Sequence, residues 1–416
     1  MSKKTYAFAG ASQRAYNMFM RPMLERFDDC TEIVGIFDTN LGRAKTIAGM
    51  VNNPPVFENF DEMVKVTKPD IVLVTTVDAY HSDYIIRAME LGCDVVTEKP
   101  MTIDPERINA ILEAEKRTGK KVTVTFNYRY APYKTKIKEL IRDGVIGDVF
   151  SVHFEWLLDR NMDVLAHGTS YFRRWNSRMK NSGGLLVHKA THHFDLVNWW
   201  IGQNPKRVAA FGKLNLYGTP GSKKYANGIH GENCRRCSHA KECGFYFEMP
   251  ELEKKIYAEN EHIDGYFKDG CVYASDIDIF DTMAVNVEYD GGAMLTYSLN
   301  ATCPYEGWRI VFNGSKGRME ATYAETGPDE QGLCYDVIRV FDLDNNVTDY
   351  KIERVRGNHG GGDLLLHEML FRDNVPDPLG LAAGTEDGAK SCIIGACANI
   401  SIWDKRMVEI DDYLKL

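Results

Sequence analysis

The segment up to residue 125 constrains the fold more than any other, because short apolar stretches alternate there with amphipathic ones. Residues 5–9, 32–37, 71–75, 94–97 and 122–126 are short and apolar, as buried strands are. Between them, residues 15–27, 43–50, 82–91 and 105–118 carry helical patterns. Gly92 and Gly119 follow two of these helices, where glycine ends a helix at least cost. Strands with no polar face need cover on both sides. The alternation therefore predicts a parallel sheet with helices on both faces.

The pattern changes after residue 130. Strand-like alternation appears at 149–156, 283–289, 293–299 and 309–312, with a turn signal at Asp290-Gly291-Gly292. Helices return at 191–201, 363–374 and 387–403. A chain of 416 residues exceeds the usual size of a single core, so two domains are expected. The reading is an α/β chain. Residues 1–128 form a doubly wound dinucleotide-type domain, and residues 129–416 form an α/β domain with a large, mostly antiparallel open sheet. A Tyr-, Gly- and Cys-rich insertion occupies about 215–275.

Charge and composition narrow the partners. The net charge of -9 opposes a nucleic-acid partner. No apolar run reaches the length of a bilayer span, so no membrane partner is expected. The apolar stretch after Lys3 and Lys4 is too short for a secretory signal, so the expected location is cytoplasmic.

Gly10-Ala11-Ser12-Gln13-Arg14-Ala15 lies between the first strand and its helix, where a dinucleotide fold places G-x-G-x-x-G or A. Ser12 stands at the second glycine position, and an ordinary strand–helix turn is the alternative. Asp38 ends the second strand, where an acid meets the adenosine ribose hydroxyls. Its charge favours NAD over NADP, and nearby Arg43 weakens that preference. Lys99, in Thr97-Glu98-Lys99-Pro100, falls at the carboxyl end of a strand, where parallel sheets bind ligands. Burial would lower its pKa toward the working range of a general base, and a surface lysine before a helix is the alternative that spacing alone favours.

Two further groups could carry chemistry. His188, His192 and Asp195 are spaced to share one helical face, with His192 as acid or base and Asp195 orienting a neighbour. A metal between the two histidines is the competing reading. Cys234, Cys237, Cys243 and Cys271 have the spacing of a structural zinc site, with free thiols as the alternative.

Together these segments resemble the Gfo/Idh/MocA oxidoreductases, the group of glucose-fructose oxidoreductase and inositol dehydrogenase. The resemblance runs over nearly the whole chain. It rests on the Gly10–Ala15 turn, Asp38, Thr76-Val77-Asp78-Ala79-Tyr80-His81 for T-P-N-x-x-H, Glu98-Lys99-Pro100, Asn127-Tyr128-Arg129, and Gly183 to Asp195 for G-G-x-L-x-D-x-G-x-H-x-x-D. It implies a Rossmann domain followed by an open-sheet domain that builds homodimers or homotetramers. It also implies a sugar, glycoside or polyol substrate. Lys99 and His192 would then move the proton while hydride passes to or from the nicotinamide, with His188 as a third catalytic candidate.

The resemblance implies cofactor contacts from Gly10, Ser12, Gln13, Arg14, Asp38, Arg43, Thr76, His81, Glu98, Lys99 and Asn127. Substrate contacts are expected from Lys99, Arg129, Tyr171, Arg174, Trp175, His188, His192 and His359. In the Tyr171–Trp175 segment, Arg173 and Arg174 would suit an acidic substituent and an aromatic would stack on a sugar face. Three departures stand out: Ser12, Val77 in place of proline, and His188 where the family often has aspartate. A histidine at 188 raises a rival reading, an NAD-dependent glycosidase that oxidises, eliminates, hydrates and reduces again. A non-catalytic NAD sensor is the third reading.

Overall fold

The computed structural model of the chain describes residues 3–161, 167–327, 334–355 and 358–416. Six parallel strands form the first sheet: β1 (Lys4–Ala9), β2 (Thr31–Phe37), β3 (Val56–Phe57), β4 (Ile71–Val74), β5 (Asp94–Thr97) and β6 (Val122–Val124). Their order is β3-β2-β1-β4-β5-β6, so the strand order reverses between β1 and β4. In such Rossmann sheets a ligand crevice opens outside the carboxyl ends at that reversal. Local chemistry sets the helices. Asn40 caps Leu41–Ala48 by accepting from Arg43 N, and Asp104 caps Pro105–Thr118 by accepting from Arg107 N.

The expected helix over 15–27 forms with a defect. Its backbone widens over Tyr16–Met20, where Arg21 N donates to Tyr16 O, before Pro22 enters the next turn. The strand β3 escaped the sequence reading because two residues give no periodicity.

Among the described residues the second sheet has nine strands. They are β7 (Val149–Asp159), β8 (Pro205–Lys213), β9 (Thr282–Tyr289), β10 (Met294–Cys303), β11 (Gly307–Gly314), β12 (Gly317–Ala324), β13 (Tyr335–Asp342), β14 (Val347–Glu353) and β15 (Val408–Glu409). The order is β14-β13-β12-β11-β7-β10-β9-β8-β15. Pairing is antiparallel except between β10 and β7. Burial alternates along β9 and β10, so one face packs on helices and the other is open. The helices Thr191–Ile201 and Thr385–Asp404 pack together, and the latter also lies on β8. Both are buried along most of their length.

Within the insertion, the helix Glu251–Ile256 and the turn Glu261–Asp264 return to the first sheet and pack near Leu41–Ala48. Among the described residues no helix is long and apolar enough to cross a membrane.

Candidate active site

The turn after β1 is built for close approach. Gly10 has φ +103, and a Cβ there would stand 2.8 Å from the Thr75 and Thr76 backbone. Only glycine fits that conformation without strain. Ser12 caps the following helix, its Oγ accepting from Ala15 N at 3.1 Å. Asp38 accepts from Ala11 N and Asn40 N, each at 2.7 Å, and from Arg43 Nη2 at 3.0 Å. Arg43 also reaches Asp264 Oδ2 at 3.1 Å. Its charge is therefore shared between two carboxylates. Arg14 Nε donates to Glu98 Oε1 at 2.8 Å, linking this turn to the end of β5. These residues fit a dinucleotide: a tight turn, backbone access and an acid after β2.

Lys99 lies two residues past the end of β5. Its ammonium donates to the backbone oxygen of His188 at 3.1 Å. Burial lowers its pKa to about 8, although Asp78 and Glu98 pull the other way. His188 Nδ1 lies 2.5 Å from Asp78 Oδ2, and Asn176 Nδ2 donates to His188 Nε2 at 3.1 Å. The second contact places the ring proton on Nδ1, toward Asp78. Burial pushes the Asp78 carboxyl well up and the His188 imidazole well down.

The two histidines do not share one helical face, contrary to the spacing argument. Gly183 and Gly184 have positive φ, Leu185–His188 makes one turn, and a new helix begins at Thr191. His192 is 2% exposed and stacks on Tyr128 with ring centroids 4.1 Å apart. Burial lowers its pKa well below the usual range, so it is neutral. Lys189 donates to the Tyr128 hydroxyl at 2.9 Å. Burial pushes that phenol up to about 12. His359 lies 3.0 Å from Asp363, which also accepts from Asn127 Nδ2 at 2.7 Å. Asn127 Oδ1, Asn176 Oδ1 and His192 Nδ1 are buried with no partner among the described residues. Most buried polar atoms find a partner, and unpartnered ones also occur elsewhere in this chain, at Trp156 Nε1 and Asn399 Oδ1.

Tyr171 and Trp175 both set their rings edge-on to His188, at 5.3 and 5.5 Å. Arg174 lies over Tyr171 and donates to Ser170 O at 3.0 Å. Arg174, Trp175, Arg178, Lys180, Tyr266 and Phe267 line part of a cavity of about 700 Å³ that opens beside this cluster.

Several expected roles are corrected. Arg129 is not at a substrate surface: it is 2% exposed and holds Asp195 at 2.6 and 2.8 Å and Asp387 at 2.8 Å. Asp195 therefore orients no histidine. His81 is 1% exposed, with Nδ1 2.8 Å from Pro100 O and Nε2 3.1 Å from Thr76 O, so it shapes the loops. Thr76 turns its hydroxyl to Val77 O at 3.3 Å. Arg173 is buried and donates to Cys234 Sγ, Gly270 O and Phe245 O. The zinc expectation also fails. Among the described residues no group of three or more His, Cys, Asp or Glu could hold a metal, and Cys234, Cys237, Cys243 and Cys271 are free thiols. The same finding removes the histidine–metal reading.

Sequence reasoning gave no role to Asp78, Asn176, Lys189 or Tyr257. The signal for Asp78 was present: it is the acid in a segment whose family pattern has asparagine.

A reversal-point crevice, a glycine turn, an acid after β2 and a half-buried lysine after β5 define a nicotinamide-dinucleotide oxidoreductase fold. The comparisons agree. Residues 4–126 match the model for the oxidoreductase family, NAD-binding Rossmann fold, and residues 138–409 match that family's C-terminal alpha/beta domain. The chain belongs to the Gfo/Idh/MocA oxidoreductase family. It is 39% identical to the putative oxidoreductase YteT of Bacillus subtilis, over 99% of each chain. It is 26% identical to the D-glucoside 3-dehydrogenase of Escherichia coli over 47% of this chain and 53% of that one. An oxidoreductase from Agrobacterium radiobacter, solved in complex with NAD+, L-tartaric acid and magnesium, shares the fold at TM-score 0.66. It covers 99% of this chain and 100% of its own, at 14% identity.

Proposed function

We propose that the chain oxidises a secondary hydroxyl of a sugar, glycoside or polyol, or reduces the matching carbonyl, with NAD as cofactor. The observation that carries this reading is Lys99: half-buried, drawn to about 8 by desolvation, and held by the His188 backbone at the carboxyl end of β5. When bound, the nicotinamide supplies the hydride acceptor or donor. Gly10, Ser12, Asp38 and Glu98 are positioned to hold the dinucleotide. Asp38 favours the 2′-hydroxyl of NAD over a 2′-phosphate, and Arg43 is occupied by Asp38 and Asp264.

In the oxidising direction the unprotonated Lys99 amine takes the hydroxyl proton. Neutral His192 accepts or donates at the same oxygen, and its stack on Tyr128 fixes the ring plane. Trp175 offers a face for a sugar ring, and Arg174 a donor for its substituents. The glucoside 3-dehydrogenase relative supports a saccharide. The test is a panel of free sugars, polyols and nitrophenyl glycosides with NAD, followed at the NADH absorbance. Lys99→Ala must keep NADH binding and lose turnover. Normal turnover in that variant rejects the assignment, and binding without turnover of any substrate in the wild type leaves the sensor reading.

The Asp78–His188 pair favours one second reading. Simple hydride transfer needs one acid–base couple, and this site has two. A glycosidase cycle would use the second to take a proton next to the new carbonyl and expel the aglycone. Nitrophenol released without net NADH distinguishes it.

A further inference from the structure

The Cys-rich insertion reaches back to the first sheet at its most functional edge. Tyr257 Oη accepts from Gln13 N at 3.0 Å, on the helix that follows the glycine turn. Asn40 Nδ2 donates to Asn260 O at 2.9 Å, and Asn260 Nδ2 donates to Thr46 Oγ1 at 3.3 Å. Asp264 Oδ2 holds Arg43 Nη2 at 3.1 Å, on the guanidinium that also binds Asp38. Contact is tight: a Cβ at Gly42 would stand 2.2 Å from Asn260 Oδ1. Tyr257 and Asn260 are each 8% exposed.

These contacts span two turns, the one after β1 and the one after β2. In a doubly wound sheet those turns flank the pyrophosphate and the adenosine ribose. The insertion thus sets a buried tyrosine hydroxyl on a backbone amide of the first turn and an ion pair on Arg43, the partner of Asp38, at the second. The hydroxyl of Tyr257 is a donor as well as an acceptor. Its proton would be available to a phosphate oxygen bound beside Gln13.

We infer that residues 257–264 form a strap that completes the dinucleotide site from the second domain, with Tyr257 as a pyrophosphate ligand and Asn260 and Asp264 locking the adenosine end. The proposal rests on the dinucleotide reading above. A strapped cofactor leaves slowly, because release must first break the contacts to Gln13, Asn40, Arg43 and Thr46.

The test uses the full-length protein loaded with NADH and mixed with excess NAD, following the loss of NADH fluorescence. Wild type, Tyr257→Phe and Asp264→Asn are compared, with circular dichroism and melting to confirm folding. The expected result is slow release from wild type and release about tenfold faster in each variant, as loss of one hydrogen bond to a charged group implies. Dinucleotide liberated by heating the purified wild type should approach one equivalent per chain. Release complete within mixing in wild type, or equal rates in all three folded proteins, overturns the strap alone. Failure of wild type to bind NADH overturns the dinucleotide reading and the strap with it.

Discussion

Asp78 Oδ2 and His188 Nδ1 stand 2.5 Å apart, joining the turn after β4 to the helical turn that precedes His192. The family pattern puts a carboxylate at position 188 and an amide at position 78. This chain has the acid at 78 and a histidine at 188. The acid of this cleft therefore sits at position 78, and it lies within electrostatic reach of Lys99, whose ammonium rests on the His188 carbonyl. The departure at 188 is therefore half of a paired change. Its consequence is an imidazole with a fixed proton beside the lysine.

Removing that acid should disable proton handling while sparing cofactor binding. Asp78→Asn is expected to lower kcat/KM on the order of 10²-fold, the usual scale for an acid–base partner. NADH affinity should change little. His188→Gln should cost a similar amount, and the double variant little more, because both substitutions break one unit. Additive losses in steady-state kinetics would show that the two groups act separately.

The pH dependence follows from Lys99. Burial lowers its pKa to about 8, so the neutral amine becomes the majority form only above that value. Oxidation needs the neutral base, and its kcat/KM should rise tenfold per pH unit below about 8 and level off above it. Reduction needs the ammonium, so it should be level below about 8 and fall tenfold per pH unit above it. Lys99→Ala should remove the limb from the residual rate, and Lys99→Arg should not restore it, since guanidinium stays charged. A limb that persists in Lys99→Ala belongs to another group.

Apart from β3, the first sheet could be read from the sequence because its strands are apolar on both faces, a pattern that tolerates few alternatives. β14 could not, since Val347–Glu353 is largely exposed and alternates weakly. The Lys99 and His192 positions were readable as motifs. What was hidden is pairing at long range. Asp78 lies 110 residues from His188, and Gln13 lies 244 from Tyr257. Arg129 followed Asn127 in a motif and so looked functional, while its buried partner Asp195 sat in another motif. Spacing along a chain carries no signal for either contact. The cysteine spacing misled for a related reason: it is compatible with a metal knot, and here the loop is tied down through Arg173 instead.

Arg129 should prove a stability residue. Its guanidinium is 2% exposed and grips Asp195, itself 1% exposed. Arg129→Met leaves that carboxylate buried without its cation, a change worth about 3–5 kcal/mol. Denaturant unfolding should show the loss directly. Arg129→Met with Asp195→Leu should recover part of it, because no buried charge then remains at either position. A variant with a raised KM and unchanged stability would return Arg129 to the substrate surface.

Gly10 gives the cleanest test of the cofactor cradle. Its φ of +103 is a conformation that side chains rarely adopt, and an added Cβ would meet three backbone atoms of Thr75 and Thr76 at 2.8 Å. Those atoms belong to the adjacent strand end and cannot rotate aside. Gly10→Ala must therefore either reshape the turn or push β1 from β4. The backbone strain alone is roughly 1–2 kcal/mol. We expect NADH affinity to fall at least about tenfold by fluorescence titration, one decade for each 1.4 kcal/mol of misfit. The melting temperature should fall with it, because the turn also seats the helix capped by Ser12. Gly92→Ala serves as the control. It too has positive φ, at +91, but nothing lies within 4 Å of its added Cβ. It should cost stability and leave NADH affinity intact. Equal affinity losses in both variants would mean that general destabilisation, and not the turn after β1, governs cofactor binding.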